Sequence, residues 1–250
     1  MIQIVKKNDE IIKHLQKDRR VNLNALSYLT YKEDADVYIY GGDVTNGVII
    51  GPSKQNFFFL ATQNRDFLDM FWESLPAGHK MFSGAPQPTF DIITKGRAPV
   101  WQTPCKTFIY DGVSQITDRS LDLIIEPLTV KDAEEVDDYY TYRSEGSVNR
   151  LRESIEKMDS SCVRIDGRLA AWCLIHAEDG SMGPLYTKQE FRGRGLGEVV
   201  AARLMKIMVA KNMTPYVQIA EDNTESLALI KKLGGMEYSH DCVWFGLNKA

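Results

Sequence analysis

The chain has 250 residues, 44% hydrophobic and 26% charged, with a formal net charge of −4. That balance suits one large packed core or two smaller ones and excludes a disordered chain. A slight acidic surplus argues against a nucleic-acid binder, which carries a basic one.

Cys105, Cys162, Cys173 and Cys242 are far apart and form no Cys-x-x-Cys pair, and the four histidines are equally scattered. No metal site is therefore expected, and a reducing compartment is. Residues 1–15 lack the apolar core of a secretory signal, and Asp9 and Glu10 disfavour a transit peptide. No window approaches the roughly 18 uncharged apolar residues of a membrane span. The expected setting is cytoplasmic, with neither membrane nor nucleic acid as partner.

Over residues 3–18, Ile4, Ile11, Ile12 and Leu15 fit a short amphipathic helix, and helical character continues over 23–31. Strand texture follows at 37–40, 47–50 and 57–60, separated by Gly41-Gly42, Asn46-Gly47 and Gly51-Pro52 at hairpin spacing. A helix over 65–75 buries a stripe of Phe67, Leu68, Phe71, Trp72 and Leu75 and stops at Pro76. Residues 78–120 are weaker. Short strands are expected near Val100 and at 106–110, with Pro86, Pro88, Pro99 and Pro104 breaking any long element. The polar stretch 111–120 marks the expected boundary between an α/β domain at 1–116 and a second domain at 117–250.

The second half opens with strand-like residues 121–127 and a helix capped by Thr129. Helical texture runs to Met158 with a break at Gly146. Tyr139, Tyr140 and Tyr142 either pack one helix face or look toward a ligand. Asp166-Gly167 joins strands 162–165 and 169–175 in a type I′ hairpin. Strand 181–187 leads into a polar turn and then into Arg192-Gly193-Arg194-Gly195-Leu196-Gly197, with a helix from Glu198 to Asn212. A strand at 214–220, a helix capped by Asn223 and ended by Gly234-Gly235, and a closing hairpin of 236–238 and 242–247 complete the order.

Three glycines in five positions between a strand and a helix let the backbone approach a ligand and leave the first helical N–H groups uncovered at the positive helix end. That arrangement holds an anion, most often a phosphate. Arg192 and Arg194 add charge. A dinucleotide fingerprint needs glycine where Glu198 stands, and a Walker loop needs Gly-Lys-Ser/Thr, which does not follow.

Arg-x-x-Gly-x-Gly between strand and helix resembles the pyrophosphate loop of the GNAT-type N-acyltransferases. Asn223 through Ser226 to Gly234 resembles the Asn-x-x-Ala…Lys-x-Gly helix of the same superfamily. The resemblance covers about residues 121–248. Glu190-Phe191-Arg192…Gly195-Leu196 is similar to the loop of the glycine N-acyltransferase-like branch. It implies an α/β fold of the GNAT type, a mixed central sheet flanked by helices, preceded by a smaller α/β domain similar to a degenerate GNAT half. It also implies acetyl-coenzyme A or another acyl-CoA as co-substrate, no metal, and a small-molecule or peptide amine as acceptor.

Carried onto this chain, the backbone of Leu185, Tyr186 and Thr187 would pair with pantetheine, and the amides of Arg192, Gly193, Arg194, Gly195, Leu196 and Gly197 would hold the diphosphate. Asn223 and Ser226 would lie near the pantetheine arm, Asn223 otherwise serving only as a helix cap. The family's general base falls eleven positions before Arg192, on Ser181, and its general acid seven after Asn223, on Ile230. Neither can do that work, so the catalytic residues are left open among Glu221, Glu178 and Ser181, with His176, Asp179 and His240 as further carriers of a water-mediated proton transfer. A module that binds acyl-CoA without turning it over is the alternative.

Overall fold

The structure, a computed structural model, describes residues 1–32, 35–52, 56–110, 123–238 and 241–250. The expected boundary at 111–120 and the candidate His240 lie outside the described residues. In chain order the elements are β1 (Ile2–Lys6), α1 (Asp9–Gln16), α2 (Leu23–Tyr31), β2 (Ala35–Tyr40), β3 (Asp43–Pro52), β4 (Phe57–Ala61), α3 (Arg65–Ser74), β5 (Gly78–Pro86), α4 (Gln87–Ile93) and β6 (Trp101–Ile109). They continue with β7 (Ile125–Glu126), α5 (Ala133–Asp138), α6 (Ser147–Lys157), β8 (Ser160–Ile165), β9 (Arg168–Ile175), β10 (Met182–Thr187), α7 (Leu196–Ala210), β11 (Tyr216–Ala220), α8 (Thr224–Lys232), β12 (Met236–Glu237) and β13 (Cys242–Lys249). None of the helices among the described residues is long and apolar enough to cross a membrane.

The chain forms two compact units. The first comprises Met1–Thr107, Ala220–Asp222 and Tyr238–Ala250, the second Phe108–Ile219 and Asn223–Glu237. In the first, the strands run β1-β2-β3-β4-β5-β13-β6, antiparallel except for the parallel pair β4–β5. Alternation along β4 explains how one sheet serves two cores. Phe58 packs with Phe67, Phe71, Trp72 and Phe82 beneath α3, whereas its neighbour Phe59 packs with Ile11, Leu15, Tyr28 and Leu29 from α1 and α2.

Three expectations change here. Residues 2–6 form a strand, paired from Ile2↔Tyr40 to Lys6↔Asp36, and α1 begins only at Asp9. The switch is set by Asn8, whose Oδ1 accepts from the Ile11 N–H at 3.0 Å and starts the helix there. The prolines do not shorten the elements between 78 and 110. Pro86 closes the nine-residue β5 and Pro88 sits in the first turn of α4, where a missing N–H costs nothing. β6 runs through Pro104, whose carbonyl accepts from the Glu221 N–H at 3.1 Å.

The closing hairpin does not form. β12 pairs with the end of β6, and β13 instead inserts between β5 and β6. Its Val243, Phe245 and Leu247 are buried in the first unit's core, where Phe245 stacks on Phe82 with ring centroids 4.7 Å apart.

The second unit holds an antiparallel sheet ordered β10-β9-β8-β7. Asp166 and Gly167, at φ 52° and 73°, make the expected left-handed hairpin turn. On one face α5 and α6 enclose Trp172, Leu151 and Leu174; on the other lies α7, with Val200, Leu204, Met205 and Met208 buried beside Ala171 and Cys173. The Thr129 expectation holds: Thr129 and Asp132 form a capping box ahead of α5.

Candidate functional site

β10 ends one sheet and β11 ends the strand series reached through β6, so each has one edge without a strand partner among the described residues. α7 joins the two strands. Met182, Leu185, Val217 and Ile219 share its core, and the Tyr216 hydroxyl donates to the Asp179 carbonyl just ahead of β10. Along β10 the pairing with β9 is interrupted between Met182 and Leu185 and resumes through Tyr186↔Trp172 and Thr187↔Ala171. Leu185, Tyr186 and Thr187 are half-buried on the end strand of that sheet, and on its outer edge the Thr187 carbonyl accepts from Arg192.

The turn that follows is held from below. Lys188 donates its N–H to the Ala170 carbonyl at 3.0 Å and its ammonium to Glu135. Phe191 is buried, and the Arg194 guanidinium lies over its ring at 5.5 Å. Gly193 and Gly195 take φ 75° and 78°, the left-handed region that glycine alone enters without strain. A Cβ on Gly193 would meet no atom within 4 Å, so the space above it is open.

α7 starts at Leu196, two residues ahead of the expected Glu198, because Gly195 is itself the cap and Leu196 is buried. Gly195 supplies no side chain to cover the helix end. The first intrahelical bond runs from the Val199 N–H to the Gly195 carbonyl at 3.2 Å, so the amides of Gly195, Leu196 and Gly197 precede the ladder. Arg192 stands beside them, its Nε donating to the Thr187 carbonyl at 3.2 Å and its Nη1 lying 3.5 Å from the exposed Glu225. A surface pair of that kind contributes little and leaves Arg192 available to an anion. The result is a glycine-capped helix start with uncovered amides and two arginines in the loop before it, where a side chain at Gly195 would strain the left-handed backbone.

Asn223 caps α8, its Oδ1 accepting from the Ser226 N–H at 3.1 Å. That bond uses Asn223 Oδ1 and the Ser226 N–H, and leaves the Asn223 Nδ2 and the Ser226 hydroxyl outside it.

The three catalytic candidates part company. Ser181 is buried, and both its N–H and its hydroxyl donate to Asp179 Oδ1, at 3.0 and 2.7 Å. Glu221 lies in the first unit, 3.3 Å from Lys106, which also binds Asp241 at 2.7 Å. Glu178 is half-buried. Burial pushes its carboxyl above the ordinary value, while His176, at Nδ1–Oε2 4.0 Å, and Arg150, at 3.9 Å, draw it back. Sequence reasoning missed how this group is built. The His176 Nε2 lies 3.4 Å from where a Cβ on Gly183 would sit, so the imidazole reaches the interrupted stretch of β10. Tyr140 packs 6.2 Å from the same imidazole and 5.9 Å from Tyr142, and burial raises its hydroxyl's pKa. Tyr139 turns elsewhere, onto Tyr186 and Trp172. Among the described residues no group of three His, Cys, Asp or Glu is arranged to hold a metal.

The family model described as FR47-like protein matches residues 162–245. No curated protein matches the sequence. Among solved structures, a Drosophila protein is 17% identical with a TM-score of 0.81, covering 98% of each chain. A tandem GNAT protein from the clavulanic acid biosynthesis pathway is 13% identical, with a TM-score of 0.58 over 100% of this chain and 99% of its own. An acetyltransferase of the GNAT family from Colwellia psychrerythraea is 10% identical, with a TM-score of 0.58 over all of both chains. The fold is therefore the GNAT fold, in a two-half layout.

Proposed function

We propose that the protein is an N-acyltransferase that moves an acetyl or other short acyl group from acyl-coenzyme A to a primary amine of a small molecule or peptide. The observation that carries this reading is the glycine-capped start of α7 beside the open edge of β10. In it, Arg192 and Arg194 with the amides from Gly193 to Gly197 hold the diphosphate, and the backbone of Leu185, Tyr186 and Thr187 pairs with the pantetheine amides. Asn223 contributes through Nδ2, and Ser226 through its hydroxyl. Residues 117–250 are the acyltransferase half and 1–116 a degenerate copy, with β13 counted in the first unit's sheet. The glycine N-acyltransferase-like loop and a cytoplasmic setting belong to the same reading.

The thioester arrives activated, so the protein has to align an amine with it and manage protons. The amine nitrogen bonds to the acyl carbon, the carbon–sulfur bond breaks, and the thiol leaves with a proton. Glu178 is the base: half-buried, raised in pKa, and continued by His176 toward β10. His176 carries the proton between the amine and the carboxylate.

One observation favours a second reading. Ser181 is tied to Asp179, and Ile230, where the usual acid would stand, is buried with its carbonyl bonded by the Tyr110 hydroxyl at 3.1 Å. A binding module without turnover would tolerate both. Calorimetric titration of coenzyme A, followed by thiol release from acetyl-CoA over a panel of amines, separates the cases. Saturable heat with release supports the enzyme, heat without release the module, and no heat removes both.

A further inference from the structure

Both arginines of the loop before α7 rest on aromatic rings. The Arg194 guanidinium lies 5.5 Å from the Phe191 ring centroid and the Arg192 guanidinium 5.8 Å from that of Tyr186, each within the range at which a ring face attracts a cation. A ring holds a guanidinium through its quadrupole and consumes none of its N–H groups, which stay free for an anion. The two rings are secured differently. Phe191 is buried and fixed by the core of the second unit. Tyr186 is half-buried near the end of β10, and two aromatic neighbours hold its ring. Trp172, its cross-strand partner on β9, lies 5.2 Å away, and Tyr139 packs on it at 5.0 Å with the planes 32° apart.

Tyr139 is the residue on which α5 ends, one helical turn after Glu135, so the two share a face. The Lys188 ammonium enters between them. It binds the Glu135 carboxylate and lies 5.5 Å from the Tyr139 ring centroid. Lys188 is buried and tied by its N–H to the Ala170 carbonyl, so this end is anchored. Lys188, Tyr139, Tyr186 and Arg192 thus form a continuous run of cation, ring, ring and cation. Glu135 neutralises the first cation, whereas the last stands half-exposed in the loop. The Nε bond to the Thr187 carbonyl at 3.2 Å tethers Arg192 at one point, and the Tyr186 ring supplies a second. The rival for its guanidinium is Glu225, 3.5 Å from Nη1, a solvated carboxylate that pairs weakly.

We propose that Tyr139 is a positioning residue for the loop cation: its packing on Tyr186 fixes the ring face beneath Arg192 and keeps that guanidinium beside the first amides of α7 rather than out over Glu225. Without Tyr139 the Tyr186 ring turns into the vacated space and Arg192 loses its second point of attachment. A bound anion must then order that long side chain at its own cost. The consequence for coenzyme A rests on the reading of this loop as its site; the orientation of Arg192 does not.

The test compares the full chain as wild type, Tyr139→Phe, Tyr139→Leu, Arg192→Gln and the Tyr139→Leu/Arg192→Gln double variant. Leucine keeps apolar bulk without a ring, and phenylalanine keeps the ring. With no ligand present, the Arg192 Nε–H resonance in a 1H–15N spectrum reads its place over Tyr186 through the ring current. It should stay in Tyr139→Phe and move in Tyr139→Leu. In calorimetric titration with coenzyme A, and separately with adenosine 3′,5′-diphosphate, Tyr139→Phe should match the wild type and Tyr139→Leu should bind about threefold more weakly. That loss should vanish once Arg192 is glutamine, whereas a merely structural role would give the same loss in both backgrounds. An unmoved resonance in Tyr139→Leu, an equal loss in Tyr139→Phe, or additive losses overturn the proposal. A wild type that binds no coenzyme A removes the proposed function and leaves the resonance comparison to decide the role of Tyr139. If Tyr139→Leu does not fold, nuclear Overhauser contacts in the wild type, from the Tyr139 ring to Tyr186 and from Tyr186 to the Arg192 δ protons, replace it, and their absence overturns the proposal.

Discussion

Gly197 and Thr187 meet so closely that a Cβ on the glycine would lie 3.2 Å from the threonine Oγ1. The second residue of α7 is thereby seated against the last residue of β10, which fixes the loop between them. An alanine at this helical position gains about 1 kcal/mol from propensity alone. Against Thr187 it must also displace a hydroxyl by a few tenths of an ångström. Gly197→Ala should therefore stabilise the chain less in the wild type than in a Thr187→Ala background, with a coupling of about 0.5 kcal/mol or more in a double-mutant cycle of urea midpoints. In the wild-type background the same change should weaken coenzyme A binding severalfold, because it pries β10 from the amides of the loop. Additive effects would mean that the contact is slack.

Glu178 links stability to activity with opposite signs. Burial raises its carboxyl pKa in the folded chain, so folding favours the protonated form. Its contribution is fully present below the unfolded value of about 4.3 and is lost as pH rises through the higher folded value. Glu178→Gln should raise Tm at pH 8, and that gain should vanish near about pH 3.5, where both states of the wild type are protonated. As a base, the same carboxyl works only when ionised. The kcat/KM of the wild type should climb with pH through the raised value, and Glu178→Gln should lower kcat about a hundredfold. A variant with full kcat and an unchanged pH profile would remove Glu178 from the chemistry.

The order of elements in the second half was legible because each switch has a local chemical signal. Asp166-Gly167 turns the hairpin, Thr129 caps the 3-10 turn that leads into α5, and the glycines open the loop before α7. Those signals act over a few residues, and the structure obeys them. The start of α7 shifted because sequence inspection treats Leu196 as loop, whereas burial of that side chain extends the helix back to Gly195. The misread strands depend on partners distant in sequence. β13 carries the same alternation whether it closes a hairpin or inserts between β5 and β6. Only the stacking of Phe245 on Phe82, over 160 residues earlier in the chain, decides the matter. Around Glu178, His176 is a sequence neighbour already visible as a candidate, whereas Arg150 comes from α6 well upstream and only the fold brings it there.

Asp132 should be the most sensitive single carboxylate for the stability of the second unit. Burial raises its pKa, but the Arg164 guanidinium, with Nη2 2.8 Å from both carboxylate oxygens, and the Thr129 N–H and hydroxyl outweigh it and hold the carboxyl below its ordinary value. A lowered folded pKa contributes stability that is present above the unfolded value of about 3.9 and lost as pH falls through the folded one. Asp132→Ala leaves Arg164, three-quarters buried, with only Glu126 as partner. The expected cost is about 3 kcal/mol at pH 7, read from urea denaturation and shrinking toward pH 2. A loss under 1 kcal/mol, or one that does not change with pH, would show that the capping box alone is at work.

Asn223 separates a structural duty from a binding one. Its Oδ1 caps α8 through the Ser226 N–H, and its Nδ2 has no part in that bond. Aspartate keeps the acceptor and removes the donor, whereas alanine removes both. Asn223→Asp should therefore match the wild type in stability, while Asn223→Ala loses about 1 kcal/mol. If Nδ2 also donates to the pantetheine arm, both variants should weaken coenzyme A binding, by about fivefold to tenfold for one hydrogen bond. The added negative charge gives aspartate the greater loss. A normal coenzyme A affinity for Asn223→Asp would leave this residue as a helix cap alone, and the Arg192 and Arg194 variants would then carry the test of the loop. Each of those, changed to glutamine, should cost about tenfold in affinity, and the cost should diminish as salt is raised.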